Sequence, residues 1–422
     1  MHAAAAGELP RLLPAQPGQV DLRAHLAGLG RLPYSGIQGQ LIPVIEAAGL
    51  TGRGGAGFPV HRKMSAVASA GRPAVVAGNG AEGEPASGKD SALLWRCPHL
   101  VLDGLQLAAE AVGARSAVLY VQRGAALRQH LEGALAQRAA AGVDRAEVAL
   151  VGAPPRFLSG EESALAGLVN GGAAIPRFKQ PRIFQKGIGG QPTLVQNVET
   201  LAHIALIARL GPAWFRSVGT PAEPGSMLCS VLQADGTGGI VEAALGTPLE
   251  RLLQLRAPVQ AVLCGGYHGT WLEPRTAAGL SLSTAGLQSA GAVLGAGVLV
   301  LLPNDRCGLT ETARVARYLA LESAGQCGPC VNGLPRIAAA LSDLAGLRPD
   351  RQTLADLSRW AGLVEGRGAC HHPDGTVRFV RSALTVFRAE IERHGRGSCV
   401  GGAGGPFLPL PPEIRIDESG WR

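Results

Sequence analysis

Thr51–Met64 reads TGRGGAGFPVHRKM, and no other stretch of the chain asks for so specific a backbone with so little side-chain volume. Gly52, Gly54, Gly55 and Gly57 let consecutive N–H groups converge on an anion with no Cβ in the way. Arg53 and Lys63 add positive charge, and Phe58 offers a flat apolar face to an aromatic ring. The stretch therefore predicts a cradle for a phosphate attached to a ring system, of the flavin kind. Gly52, Gly54 and Gly57 also satisfy G-x-G-x-x-G, but the preceding LIPVIEAAGL reads as a helix, whereas a dinucleotide fingerprint follows a strand. Taken alone, the loop reads equally well as a glycine-rich surface turn.

A chain of 422 residues has room for two to four domains with real cores. Hydrophobic content of 46% with 17% charge places it among globular proteins, and 60 Gly with 29 Pro predict many turns. The net charge of +7 comes from dispersed arginines with few aromatics between them, which argues against a nucleic-acid partner. The N-terminal MHAAAAGELPRLL lacks the charged start and continuous apolar core of a secretory signal. The longest apolar run, Ala290–Pro303, is too short to span a bilayer. The expectation is a cytoplasmic protein that meets a membrane only through a partner. Eight cysteines in so long a chain fit reduced thiols plus one metal site better than a disulfide framework.

Along the chain, residues 1–45 read as a proline-punctuated extension. From Arg72, PAVVAGNGAEGEPASGKD predicts a buried strand opening into a polar loop. Helical spacing over Leu100–Val112 and Ala125–Ala141 alternates with strands at Ser116–Val121 and Glu147–Val151, which predicts a parallel sheet with covering helices. FLSGEESALAGLVNGG then predicts a helix starting near Ser159 or Gly160 with Glu161 and Glu162 in its first turn, either as ordinary capping or as a ligand-facing pair. Gln191–Thr200 is a polar stretch opening the helix LAHIALIARL. Residues 216–303 read as a small α+β module, with strands at Met227–Leu232 and Ala261–Cys264 and a short helix over Thr247–Leu255. Helices follow at Thr310–Ser323, Leu334–Leu344, Leu354–Trp360 and Val377–His394, then a Gly/Pro tail over residues 396–422.

Glu322–Gly333 reads ESAGQCGPCVNG and puts Cys327 and Cys330 in a tight turn between two helices, where two thiolates grip one metal centre. Cys370, followed by His371 and His372, supplies a third ligand. Cys399 in the tail is a candidate fourth, in competition with His371. Iron–sulfur and zinc both suit this set. Cys229 and Cys264 read as buried apolar fillers, and Cys97 and Cys307, far from the others in sequence, as structural.

Five segments together resemble one family: GRGGAGF at Gly52–Phe58, NGAEGEP at Asn79–Pro85, GEESAL at Gly160–Leu165, NVETL at Asn197–Leu201 and ESAGQCGPC at Glu322–Cys330. It is the NADH-binding flavoprotein subunit of respiratory complex I, with the related diaphorase subunits. The resemblance covers roughly residues 45–395 in the family's order. It implies an α/β and α+β multidomain fold, with a Rossmann-like FMN and NADH domain over 46–215 and a β-grasp, SLBB-like domain over 216–303. A helical iron–sulfur domain over 304–395 would follow. It also implies that NADH gives a hydride to FMN, which returns electrons singly to a 4Fe–4S cluster and on to a ferredoxin-like or thioredoxin-like iron–sulfur subunit. By match, the loop Gly52, Arg53, Gly54, Gly55 and Gly57 would hold FMN with Lys63, Asn79 and Asn197, while Glu82, Gly160 and Glu161 line the same pocket. Phe58, Glu84, Glu162 and Lys179 would face NADH. Cys327, Cys330 and Cys370 match cluster ligands.

The departures from the family are specific. Ala81 replaces an Asp, Phe157 a Tyr and Gln196 an Asn, and each removes or moves a hydrogen bond. Ala66 and Arg182 stand where aromatic residues are expected around the nucleotide, and Arg182 suits an extra phosphate, which keeps NADPH as an alternative. Ala324 replaces the first cysteine of CGxCxPC. These changes also allow a second reading, a non-catalytic docking module in which zinc takes the iron–sulfur position.

Overall fold

The computed structural model describes residues 4–178, 180–348, 352–401, 405–412 and 418–421. Helices α1 (Leu22–Leu29) and α2 (Leu41–Ala48) lead into the glycine loop, and α3 (Val60–Ala68) leaves it. The loop therefore follows a helix, as its sequence predicts. Gly49 ends α2 with φ of 73°, a left-handed stop that suits glycine.

The alternation that follows is β1 (Val75–Gly80), α4 (Lys89–Arg96), α5 (Pro98–Val112), β2 (Ser116–Gln122), α6 (Ala125–Ala140), β3 (Glu147–Ala153), α7 (Glu162–Val169), β4 (Thr193–Asn197) and α8 (Val198–Arg216). The strands form one sheet in the order β3-β2-β1-β4, every pair parallel. The valine-rich β1 and β2 are buried on both faces, as a sheet covered by helices requires. Helices α5 and α8 cross so closely that a Cβ on Gly104 would lie 1.9 Å from the Leu201 carbonyl oxygen. The chain winds outward from β1 to β3 and then returns to place β4 on the other side of β1. That reversal leaves a crevice outside the carboxyl ends of β1 and β4, where open parallel sheets bind ligands.

Next come β5 (Ser226–Leu232), β6 (Gly238–Ala244), β7 (Val259–Cys264), β8 (Thr270–Leu272), α9 (Pro274–Ala278), α10 (Thr284–Gln288) and β9 (Val298–Pro303). They build a second sheet in the order β6-β5-β9-β7-β8, parallel between β5 and β9 and otherwise antiparallel. The end of the longest apolar run is thus the central strand. The helix expected over Thr247–Leu255 is only a single 3-10 turn, Leu249–Arg251. Gln233 explains the difference: its side chain donates to Leu252 O at 3.1 Å and accepts from Gln254 N at 3.1 Å, taking backbone groups a longer helix would use.

The remaining helices are α11 (Gly308–Leu321), α12 (Leu334–Ala345), α13 (Thr353–Val364), α14 (His372–Val386) and α15 (Arg388–Gly395). The single helix expected over Val377–His394 is broken at Phe387, with ψ of 26°. Its ring packs edge-on to Trp271 at 5.2 Å and fills the space above Gly308. Among the described residues no helix is long and apolar enough to cross a membrane.

Candidate functional site

The carboxyl ends of β1 and β4 open onto a cleft of about 1070 Å³, large enough for a nucleotide-sized ligand. Gly52, Gly54, Gly57, Phe58, Lys63, Asn79, Gly160, Glu161, Glu162 and Asn197 all line it. The glycine loop is pinched at its base by the Thr51–Pro59 bridge and by Gly52 N donating to Phe58 O at 2.9 Å. Between them, the N–H groups of Gly54, Gly55, Ala56 and Gly57 have no acceptor among the described residues. Unspent amides in a glycine turn are what an incoming phosphate needs. Gly54 lies against Asn197, where an added Cβ would be 3.3 Å from the asparagine Cβ.

Asn79 and Asn197 hold the cleft floor. Asn197 caps α8 by accepting from Glu199 N at 2.9 Å, and its amide donates to Asp90 Oδ2 at 2.6 Å. Asn79 donates to Gly160 O at 2.7 Å and so fixes the turn before α7. Glu161 accepts from Ser163 N at 2.8 Å and Ala164 N at 3.2 Å. Its carboxylate is therefore a helix cap as well as a cleft residue. At the mouth, Lys63 pairs with Glu162 and donates to Val195 O at 3.1 Å.

Four expected ligand residues point elsewhere. The Arg53 guanidinium is buried beneath the loop, donating to Ser226 O at 3.1 Å and Thr51 Oγ1 at 2.7 Å, and its own N–H goes to Thr200 Oγ1 at 2.9 Å. Gly55, with φ of 105°, packs on Gly295 instead of facing the cleft. Glu82 accepts from Ser87 Oγ at 2.5 Å and from Asp90 N and Ser91 N at 3.2 Å, satisfying the start of α4. Glu84 accepts from Tyr267 N at 2.7 Å and Ala86 N at 3.2 Å, clamping the turn after β7. Burial pushes its carboxyl up to about 7 despite those two bonds. Lys179 lies outside the described residues.

Other cleft residues carry no FMN or NADH role in the family match, among them Arg177, Gln196 and His371. Gln196 is buried at the end of β4 with its Nε2 lacking a partner, an orphaned donor facing the cleft that a ligand carbonyl would satisfy. His371 also lies on the cleft wall, brought there by the fold from the loop between α13 and α14.

The cysteine turn adjoins that wall. Cys327 O accepts from both Cys330 N at 3.1 Å and Val331 N at 3.0 Å, and a π-helical turn, Pro329–Gly333, carries the chain into α12. Burial first, then the neighbouring Cys327 and Cys370 sulfurs, push the Cys330 thiol up to about 12, while a hydrogen bond with Ser323 opposes them. The charges of Cys327 and Cys370 thus both act on Cys330, a donor set that fits iron–sulfur ligation by three cysteines. Cys399 does not join them. Its sulfur sits with Cys307, Glu390 and His394, because the tail after α15 folds back over the start of α11.

The chain matches the family model of the Nuo51 FMN-binding domain over residues 45–206 and that of the NADH-ubiquinone oxidoreductase-F iron-sulfur binding region over residues 310–394. It is 30% identical to an F-type subunit of NADH-quinone oxidoreductase from Rhizobium meliloti, over 84% of this chain and 88% of that protein. It is 32% identical to the F-type subunit of NADH-quinone oxidoreductase from Mycobacterium bovis, over 87% and 86%. A chain of the NAD+-reducing NiFe hydrogenase, solved in its H2-reduced state, superposes with a TM-score of 0.78 at 30% identity. The match covers 84% of this chain and 62% of the hydrogenase chain. An FMN-binding region, an iron–sulfur region and relatives matched over most of their length agree, and the chain belongs to the family of F-type subunits of NADH-quinone oxidoreductases.

Proposed function

We propose that the chain is an NADH-oxidising subunit working through FMN and a 4Fe–4S cluster, the bound flavin supplying hydride acceptance and the cluster one-electron carriage to a partner. The observation that carries this reading is the position of His371: one residue from Cys370, it forms part of the wall of the cleft that the glycine loop closes. The two cofactor regions therefore adjoin. The amides of Gly54, Ala56 and Gly57 would bind the flavin phosphate, with Asn79, Asn197 and the Gln196 amide positioning the ring. Phe58, Glu162 and the basic side chains of Arg177 and Arg182 on the same cleft would receive the nicotinamide nucleotide. Arg53, Glu82 and Glu84 support the cradle from behind. Cys327, Cys330 and Cys370 would hold the cluster, and with Ala324 in the first position of the motif its fourth ligand would come from another group.

The wider description, a diaphorase-like subunit passing electrons to a ferredoxin-like or thioredoxin-like iron–sulfur protein in the cytoplasm, fits a chain whose relatives are named as subunits. The second sheet corresponds on this reading to the SLBB-like β-grasp module, followed by the helical iron–sulfur module. Protein purified anaerobically should release flavin and iron on denaturation and bleach on adding NADH, with NADPH as control. Sub-stoichiometric FMN after reconstitution would sink the reading.

A further inference from the structure

We propose a second metal site, a mononuclear zinc centre formed by Cys307, Glu390, His394 and Cys399. Each offers one ligand atom, and the four atoms lie within 4.8 Å of one another, three of the residues being buried. His394 Nε2 is 3.5 Å from Cys307 Sγ and 3.1 Å from Glu390 Oε1, and Cys307 Sγ is 4.0 Å from the same carboxylate oxygen. Ligand atoms around a tetrahedral zinc are separated by roughly 3–4 Å. The grouping is too tight for a four-iron cluster and suits one ion.

The orientation of His394 suits a ligand role at this centre. Its Nδ1 is 2.8 Å from Leu344 O, and a carbonyl only accepts, so Nδ1 carries the proton. The opposite nitrogen, Nε2, is thereby turned to Glu390 Oε1 and Cys307 Sγ. A histidine oriented by a backbone carbonyl on one nitrogen, with the other turned to the remaining ligands, is how zinc-binding imidazoles are held. Both sulfurs are prepared as well. Cys307 accepts from Thr310 N at 3.4 Å at the start of α11, and Cys399 accepts from Gly401 N at 3.2 Å, so backbone N–H groups hold both sulfurs in place beside His394 and Glu390.

Glu390 and His394 lie one helical turn apart on α15, on one face, while Cys307 precedes α11 and Cys399 comes from the tail. The tail approaches so closely that a Cβ on Gly401 would be 2.9 Å from the Cys307 Cβ. Four protein ligands close the coordination sphere, which marks a structural site. Its role is to clasp the C-terminal tail to the helices, where Leu408 N already donates to Glu311 Oε2 at 2.8 Å. The site is separate from Cys327, Cys330 and Cys370 and does not depend on how those are occupied.

The test is elemental analysis of the full-length protein. Zinc near one equivalent per chain is expected alongside iron. Cys399→Ala and His394→Gln should each lower zinc at least fivefold and leave iron and flavin unchanged, whereas Cys370→Ser should lower iron and spare zinc. Because a variant of α15 can fail to fold, the wild-type protein stripped of zinc is also titrated with cobalt(II) alone, with thiolate-to-cobalt charge transfer and tetrahedral d–d bands as the expected result. No zinc and no such bands in the wild type, or a Cys307–Cys399 disulfide by non-reducing mass spectrometry, would overturn the proposal.

Discussion

Lys63 and Glu162 form an ion pair across the mouth of the cleft, joining α3 to the first residue of α7. Both side chains are partly exposed, so the pair itself contributes little to stability; its interest is that it occupies the charge an incoming nucleotide would use. Lys63→Met is expected to weaken FMN or NADH binding by roughly tenfold, about 1.4 kcal/mol. Glu162→Gln should release the lysine, tightening flavin binding while raising the KM for NADH. Flavin fluorescence quenching on titration of the apoprotein, with steady-state kinetics, separates the two effects, and unchanged values in both variants would remove these residues from the site.

The turn before α7 has no spare volume. A Cβ on Gly160 would lie 2.7 Å from the Ala81 carbonyl oxygen, and Asn79 already donates to Gly160 O. Gly160→Ala should therefore separate the β1 and α7 turns, costing about 1–3 kcal/mol and lowering FMN content after reconstitution. A variant with wild-type flavin content and melting temperature would show that the turn can give way.

Lys89 is buried between two carboxylates, 2.6 Å from Asp90 and 2.8 Å from Glu199. Glu199 also accepts from Leu228 N at 2.8 Å, which ties α8 to β5. Lys89→Met would take the paired cation from both acids, leaving Glu199 only the charge of Arg53, and a loss on the order of 3–5 kcal/mol is expected. Chemical denaturation measures it directly. A loss below about 1 kcal/mol would mean that Asp90 and Glu199 simply take up protons.

His99 sets an acid limit. Burial, then the charges of Arg138 and His25, hold its imidazole down at about 4 against an ordinary 6.5. In the unfolded chain it binds a proton below 6.5, and in the fold only near 4, so between those values the unfolded state binds more protons. Stability should fall as pH drops from about 6.5 to 4, by an amount on the order of 3 kcal/mol. His99→Gln should flatten that limb of the stability curve. An unchanged slope would assign the acid sensitivity to other groups.

Ala324 stands two residues after the buried Glu322, which ties α11 to the loop after β3 through Arg156 and Phe157 N. Ala324→Cys should restore a fourth thiolate and raise iron occupancy and the resistance of the visible spectrum to chelators. Equal iron in the variant and wild type would show that three cysteines already hold a full cluster.

Much of the fold was written locally. The alternation of β-branched runs with helical spacing announced the parallel sheet, because side-chain period depends only on neighbours in sequence. The glycines of residues 52–57, the acids opening α7 and the polar entry to α8 were legible for the same reason: each is a turn or cap built from adjacent residues. Cys327 and Cys330 likewise share one turn.

What only the tertiary structure decided is where long side chains and distant segments end up. Arg53 and Glu84 sit in motif positions, yet neighbouring elements offered them Ser226 O and Tyr267 N, and a charged group is drawn to its best partner in space. Phe387 broke a helix because Trp271 and Gly308 left a hole for its ring. Cys399 left the cysteine turn for Cys307, and His371 reached the cleft wall, through the folding back of whole helices. Sequence by itself set the elements, the glycine cradle and the family; packing chose which polar groups face the cleft and which cysteines meet, because those choices depend on contacts between segments far apart in the chain.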